Sequence, residues 1–208
     1  MKKVYVATLV AIVGLVCLPS LAQANLLINP SMEEVDNTTG KLKGWQDDWN
    51  TNIWRSSDNR HTGEYCARNY WDGGAYQDVE GIIGGQQYRL TGWVYIPDEN
   101  SGSVWGSYIG LKFYRANGTQ CYQWEQGDFA LRPRNQWNMG DSGWITAPAD
   151  AVKARVRFGT WANAPYQPTN PTDFDDFNLS VIPEPSSIIL LGTGLMGLFG
   201  LGARRRKK

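Results

Sequence analysis

Two segments of this 208-residue chain place planar side chains on one side of a strand pattern and apolar ones on the other. In YRLTGWVYI, residues 88–96, Tyr88, Leu90, Val94 and Ile96 share a face with Gly92, while Trp93 and Tyr95 share the opposite one. In VKARVRFGTW, residues 152–161, Val152, Ala154, Val156 and Phe158 share a face, and Arg155, Arg157 and Trp161 the other. If both strands lie in one sheet, these five side chains form one exposed aromatic and cationic surface. A sugar ring offers C–H bonds on its face and hydroxyls at its rim. Flat rings cover the former, and guanidinium or amide groups pair with the latter. Trp93, Tyr95, Trp161, Arg155, Arg157 and Gln123 are therefore the candidate carbohydrate-binding residues, with Trp49, Trp54, Trp71 and Trp105 open to the same role. The competing expectation packs these rings against loops and pairs the arginines with surface acids.

Catalytic residue types are sparse. Glycoside hydrolysis needs two carboxylates about 5–10 Å apart, and Asp47, Asp48, Asp72, Asp98 and Glu99 are scattered through loop-like stretches. His61 is the single histidine, set in the turn-like NRHTGE, too few for a zinc centre. No G-x-S-x-G motif occurs. Gly84-Gly85 leads into a strand pattern and not a helix, so it reads as a turn and not a phosphate cradle. The expectation is a protein that is not an enzyme.

The elements that must position these residues are strands. Short alternating runs near 25–28, 51–56, 63–70, 75–80, 86–96, 105–116, 119–125, 142–147, 151–161 and 173–182 are separated by Gly, Pro, Asn and Asp. They predict an all-β fold, a single β-sandwich. GLKFYRANGTQCYQWE reads as a hairpin with a type I′ turn at Asn117-Gly118, pairing Phe113 with Tyr122, Leu111 with Trp124 and Tyr114 with Cys121.

Both termini carry addresses. Lys2 and Lys3, an apolar run to Leu18 and Ala22-Gln23-Ala24 form a secretory signal peptide, residues 1–24, helical before cleavage. Residues 25–182 then form one domain with 13 Lys and Arg against 19 Asp and Glu, a formal charge of −6. That balance argues against nucleic acid. All 10 Trp lie in this part. Cys66 and Cys121 are an even pair in an oxidising compartment, which favours a disulfide over two buried thiols. At the far end, residues 186–203 are uncharged and long enough for a transmembrane helix, and Arg204 to Lys208 hold that end in the cytoplasm.

Pro183-Glu184-Pro185, the apolar span and the basic end together resemble the PEP-CTERM sorting signal of Gram-negative bacteria. The resemblance covers 183–208 and the two residues before it. It implies recognition and removal by an exosortase, with release to the outer surface or exopolysaccharide matrix. A plain C-terminal membrane anchor needs the same span. Within the domain, NLLINPSMEE, HTGEYCARN, YQDVEGIIGGQQYRLTGWVYI, WITAPADAVKARVRF and FDDFNLSVI follow an order similar to CenC-like carbohydrate-binding jelly rolls with a galactose-binding-domain-like fold. Ser31 and Met32 depart from the Gly and Phe usual there, and Phe177 from Val. The resemblance implies a jelly roll that binds polysaccharide, and a structural calcium held by Glu33, Asp175 and backbone carbonyls near His61 to Glu64. By alternation Asp175 shares a face with Phe177, Leu179 and Val181, so its carboxylate needs a partner: a cation, an arginine or backbone N–H groups. The leading expectation is an exported carbohydrate-binding protein. The alternatives are a structural matrix protein or adhesin that binds no sugar, and a small glycan-active hydrolase.

Overall fold

Nine of the ten expected runs contain strands in the computed structural model, which describes residues 24–50, 53–70, 72–97, 106–161 and 171–182, and two further strands, at 46–47 and 137–141, lie outside those runs and bring the number to eleven. They are β1 Gln46–Asp47, β2 Ile53–Ser56, β3 Cys66–Asn69, β4 Gly73–Glu80, β5 Gln87–Tyr95, β6 Ser107–Arg115, β7 Gln120–Gln126, β8 Trp137–Asp141, β9 Ile145–Thr146, β10 Ala151–Thr160 and β11 Thr172–Val181. A single 3-10 turn, Phe129–Leu131, interrupts them. One sheet runs β1-β4-β10-β6-β7; the other runs β2-β3-β11-β5-β8, with β9 also on β5. The signal segment, Trp71, Trp105 and the C-terminal tail lie outside the described residues, and so do both expected flanking helices. Among the described residues no helix is long and apolar enough to cross a membrane.

The inward faces of the two sheets meet in an aromatic core. Phe158 of β10 lies 4.7 Å from Phe174 and 5.1 Å from Phe177 of β11, and 5.1 Å from Trp45. Gly92 is required on β5: a Cβ there would sit 2.6 Å from the Phe177 ring. Asn25 ties the chain start to the last strand, its Nδ2 donating to the Phe177 carbonyl at 2.7 Å while its Oδ1 accepts from Leu179 N at 3.1 Å. The stretch 25–28 is thus fixed beside β11 without being a strand.

Three expectations about register change for local reasons. A register shift between Ala151 and Lys153 turns Val152 outward, leaving it 40% exposed, while Ala154, Val156 and Phe158 are buried as expected. A second shift, between Asp175 and Asn178, carries Asp176 at φ +47 and reverses the parity of β11. Phe174 packs inward before it and Phe177 after it, so Asp175 faces away from the core side. In the β6–β7 hairpin, Phe113 pairs with Tyr122 and Leu111 with Trp124, but Tyr114 pairs with Gln120. Only Gly118 takes positive φ, at +81, so the turn is not type I′. Gly118 N donates to Arg115 O and Arg115 N to Thr119 O, both at 2.9 Å, the pattern of a three-residue loop closed by a glycine bulge.

Candidate functional site

The largest revision concerns the predicted binding surface. β5 and β10 lie in different sheets, so Trp93 and Tyr95 are on one side of the sandwich and Arg155, Arg157, Gln123 and Trp161 on the other. Alternation fixes which side of a strand faces the core; it does not say which sheet the strand joins. Each strand turns its apolar side inward, and the polar sides therefore point apart.

The outer face of the five-stranded sheet gathers most of the candidates. Register aligns Tyr76, Arg157, Gly110 and Glu125 in one row, and Asp78, Arg155, Lys112 and Gln123 in the next. At the end of this face Tyr108 stacks with two tryptophans. Its ring lies 4.5 Å from Trp161 at 18° and 5.9 Å from Trp49 at 16°. Tyr108 is fully buried, while Trp161 is 38% and Trp49 36% exposed, so both outer rings reach solvent; Gly106 lies against the Trp161 ring, and Arg157 Cζ is 5.4 Å from the Trp49 centroid. Glycines make room for the stack. A Cβ on Gly74 would lie 2.8 Å from both the Trp49 ring and Tyr108 Oη, and one on Gly159 would lie 3.0 Å from that oxygen.

Arg157 runs beside the stack. Its Nη2 donates to Tyr108 Oη at 3.0 Å and lies 2.8 Å from Asp48 Oδ2, and its Cζ is 4.9 Å from the Tyr108 centroid. The Nε is buried and without a protein partner. Arg155, by contrast, is fully engaged: it grips both oxygens of Asp78 at 2.7 and 2.9 Å and lies 3.7 Å over Tyr76. Gln123 is exposed near the edge, its Oε1 accepting from Gln120 Nε2 at 3.2 Å. Burial raises the Glu125 carboxyl above the usual range, partly offset by Arg157 and Lys112. Burial and Arg157 lower the Lys112 ammonium. Both groups are half-buried. Tyr108, Glu125 and Lys112 thus join the site without being among the expected binding residues, and Asp48 joins it from the scattered acids. The alternation of SYIGLKFYR already puts Tyr108, Gly110 and Lys112 on one side.

On the six-stranded sheet Trp93 is covered by His61, with ring centroids 4.2 Å apart, and Tyr95 lies 5.5 Å from Trp137. The cysteines are both free. Cys66 is buried under the 57–62 loop, its thiol facing the carbonyls of Ser56 and Asp58, and Cys121 lies in the other sheet. Burial, with Asp173 and Asp175 nearby, pushes the Cys66 thiol far up, so it is an inert thiol.

Comparison with solved structures finds this sandwich elsewhere. The CBM22-1 xylan-binding domain from Paenibacillus barcinonensis Xyn10C aligns over 78% of this chain and 97% of its own, with a TM-score of 0.52 and 14% identity. A family 16 carbohydrate-binding module aligns over 76% and 100%, with a TM-score of 0.51 and 17% identity. The enzymatically active domain of the bacteriophage CBA120 tailspike protein 4 aligns over 76% of this chain but only 21% of its own, with a TM-score of 0.55 and 12% identity. At such identities the likeness shows the fold. No curated protein matches the chain in sequence. Residues 181–207 match the PEP-CTERM protein-sorting motif.

The fold brings both expected calcium ligands to one loop. Glu33 Oε1 accepts from the backbone N–H of Glu64 at 3.0 Å and of Tyr65 at 3.3 Å. Asp175 Oδ2 accepts from His61 N at 2.9 Å and Thr62 N at 3.3 Å, and its Oδ1 from Asp176 N at 2.8 Å. Asp175 is fully buried; desolvation, and then Asp176, push its carboxyl up to about 7. Backbone N–H groups partner it in the structure, as one of the alternatives expected. Among the described residues no three His, Cys, Asp or Glu side chains cluster to hold a metal. In the structure both carboxylates are held by backbone N–H groups of the 61–65 segment, with Asp176 N on Asp175 as well.

Proposed function

We propose that this protein is an exported, non-catalytic carbohydrate-binding module that binds polysaccharide across the outer face of its five-stranded sheet. The Trp49–Tyr108–Trp161 stack beside Arg157 carries this reading: two partly exposed tryptophan rings for the C–H side of sugar rings, with a guanidinium next to them for hydroxyls. The PEP-CTERM tail supports delivery. After signal-peptide cleavage, the apolar span of the tail tethers the precursor in the membrane, an exosortase processes it, and the domain reaches the outer surface or matrix of a Gram-negative bacterium. Glu33 and Asp175, with carbonyls of the His61–Glu64 loop, hold a structural calcium. Bound there, calcium supplies charge neutralisation for Asp175.

A soluble-glycan array and calorimetry on residues 25–182 test the binding. Trp161→Ala should weaken glycan binding at least about tenfold, equivalent to ~1.4 kcal/mol, while leaving the melting temperature nearly unchanged. Unaltered affinity in Trp161→Ala and Arg157→Ala overturns this reading. A hydrolase reading has one observation in its favour: Glu125, with its raised carboxyl, and Asp48 both lie near Arg157. Release of reducing ends by the domain, abolished in Glu125→Gln, would establish it.

A further inference from the structure

The opposite surface carries a second row of rings and planar polar groups. Across the six-stranded sheet, register sets Trp54, Arg68, Asp173, Tyr95 and Trp137 side by side. Loops at both ends of this row enclose an open cavity of about 620 Å³, lined by Asn59, Arg60, Arg68, Tyr95, Pro97 and Pro171 among others. That volume is in the range of small-ligand sites. Its floor is preorganised. Arg68, 7% exposed, donates to both oxygens of Asp173 at 2.7 and 2.9 Å and pairs with Asp58. Asn59 Nδ2 donates to Asp173 Oδ2 at 3.0 Å. Tyr95 is braced by Trp137. Arg60 is exposed at the rim, its Nη1 donating to the Ser57 carbonyl at 2.8 Å, and no acid pairs with it among the described residues.

We propose that this cavity is a second glycan site, taking one or two neutral sugar units against the Tyr95 ring with their hydroxyls on Arg60 and Asn59. The charges decide for a neutral ligand. Arg68 and Arg60 are matched in number by Asp173 and Asp58, so a carboxylated sugar gains no net attraction. The proposal rests on the reading of the five-stranded sheet as a glycan face. The two outer faces of a sandwich point in opposite directions, with the sheets about 10 Å apart. One stretch of polymer cannot occupy both, and the domain becomes a bivalent clamp that ties two polysaccharide chains together.

Calorimetry with oligosaccharides of xylan and β-1,4-galactan, and with polygalacturonate as the acidic probe, counts the sites. Viscometry with the intact polymers reads the cross-linking. Wild type should bind two neutral oligosaccharides per domain and raise polymer viscosity. Arg60→Ala, an exposed change that leaves the core intact, and Tyr95→Ala should each leave one site and abolish the viscosity gain. Trp161→Ala should remove the other site and leave this one. One site lost in Trp161→Ala and untouched by Arg60→Ala overturns the second site alone. One site lost in Arg60→Ala and untouched by Trp161→Ala overturns the five-stranded face alone. Binding at the cavity confined to polygalacturonate overturns the neutral ligand, and silence of wild type across all three probes overturns both sites.

Discussion

Asp48→Ala isolates what holds Arg157 in place. The guanidinium lies between Tyr108 Oη and Asp48, and the two partners of the ion pair are only 12% and 17% exposed. Removing the carboxylate leaves a largely buried charge with one hydroxyl partner and an Nε that is already unpaired. Breaking a buried pair from one side costs about 3–5 kcal/mol; Asp48 Oδ2 meets Arg157 as a close charge without hydrogen-bond geometry, and with residual solvent this puts the expected loss at the low end, near ~3 kcal/mol. For a domain of this size that lowers the melting temperature by roughly 6–12 °C. The backbone of residue 48 is not at stake, because Asp48 N still donates to Gly74 O at 2.8 Å. Denaturant titration of wild type, Asp48→Ala, Arg157→Met and the double variant forms a cycle. The double variant should recover most of the loss, since it removes the orphaned charge. Glycan affinity should fall about tenfold in Asp48→Ala, ~1.4 kcal/mol, because Arg157 no longer meets the ligand from a fixed position. A loss below about 1 kcal/mol with unchanged affinity would refute the idea that this pair positions the arginine.

Phe158→Ala should destabilise the fold by about 3–5 kcal/mol in denaturant titration, since it opens a cavity among Trp45, Phe174 and Phe177 at a fully buried position. Glu125 has a folded-state pKa raised chiefly by burial. Its contribution to stability is therefore present below the unfolded carboxylate pKa and lost as pH rises through the folded value. Glu125→Gln should gain stability relative to wild type at pH 8 and not at pH 4, read as the difference between two melting curves. Calcium should raise the melting temperature of wild type and EDTA reverse it, with Asp175→Asn and Glu33→Gln each abolishing the response. An equal response in both variants would remove these two residues from the site.

What could be read from the chain and what could not divide along one physical line. Side-chain alternation depends on neighbours in sequence, so the buried sides of β5 and β10 are visible in YRLTGWVYI and in residues 154–158 of VKARVRFGTW. Sheet membership depends on which strand donates hydrogen bonds to which, and nothing in the alternation of a single strand encodes that. Trp93 and Trp161 therefore look like neighbours in pattern and lie on opposite surfaces. Bulges fail for a related reason. Asp176 at positive φ and the shift at Ala151 each depend on a partner strand, and each flips a residue whose parity had been counted from one end. The ring stack lies between these cases. Tyr108, Gly74 and Gly159 carry its geometry: a tyrosine flat on a sheet requires side-chain-free positions beside it. Gly159 pairs with Gly74 on one side and with Tyr108 on the other. Each glycine alone is an ordinary strand glycine. Only the pairing turns two glycines and a tyrosine into a platform on which two tryptophans stack.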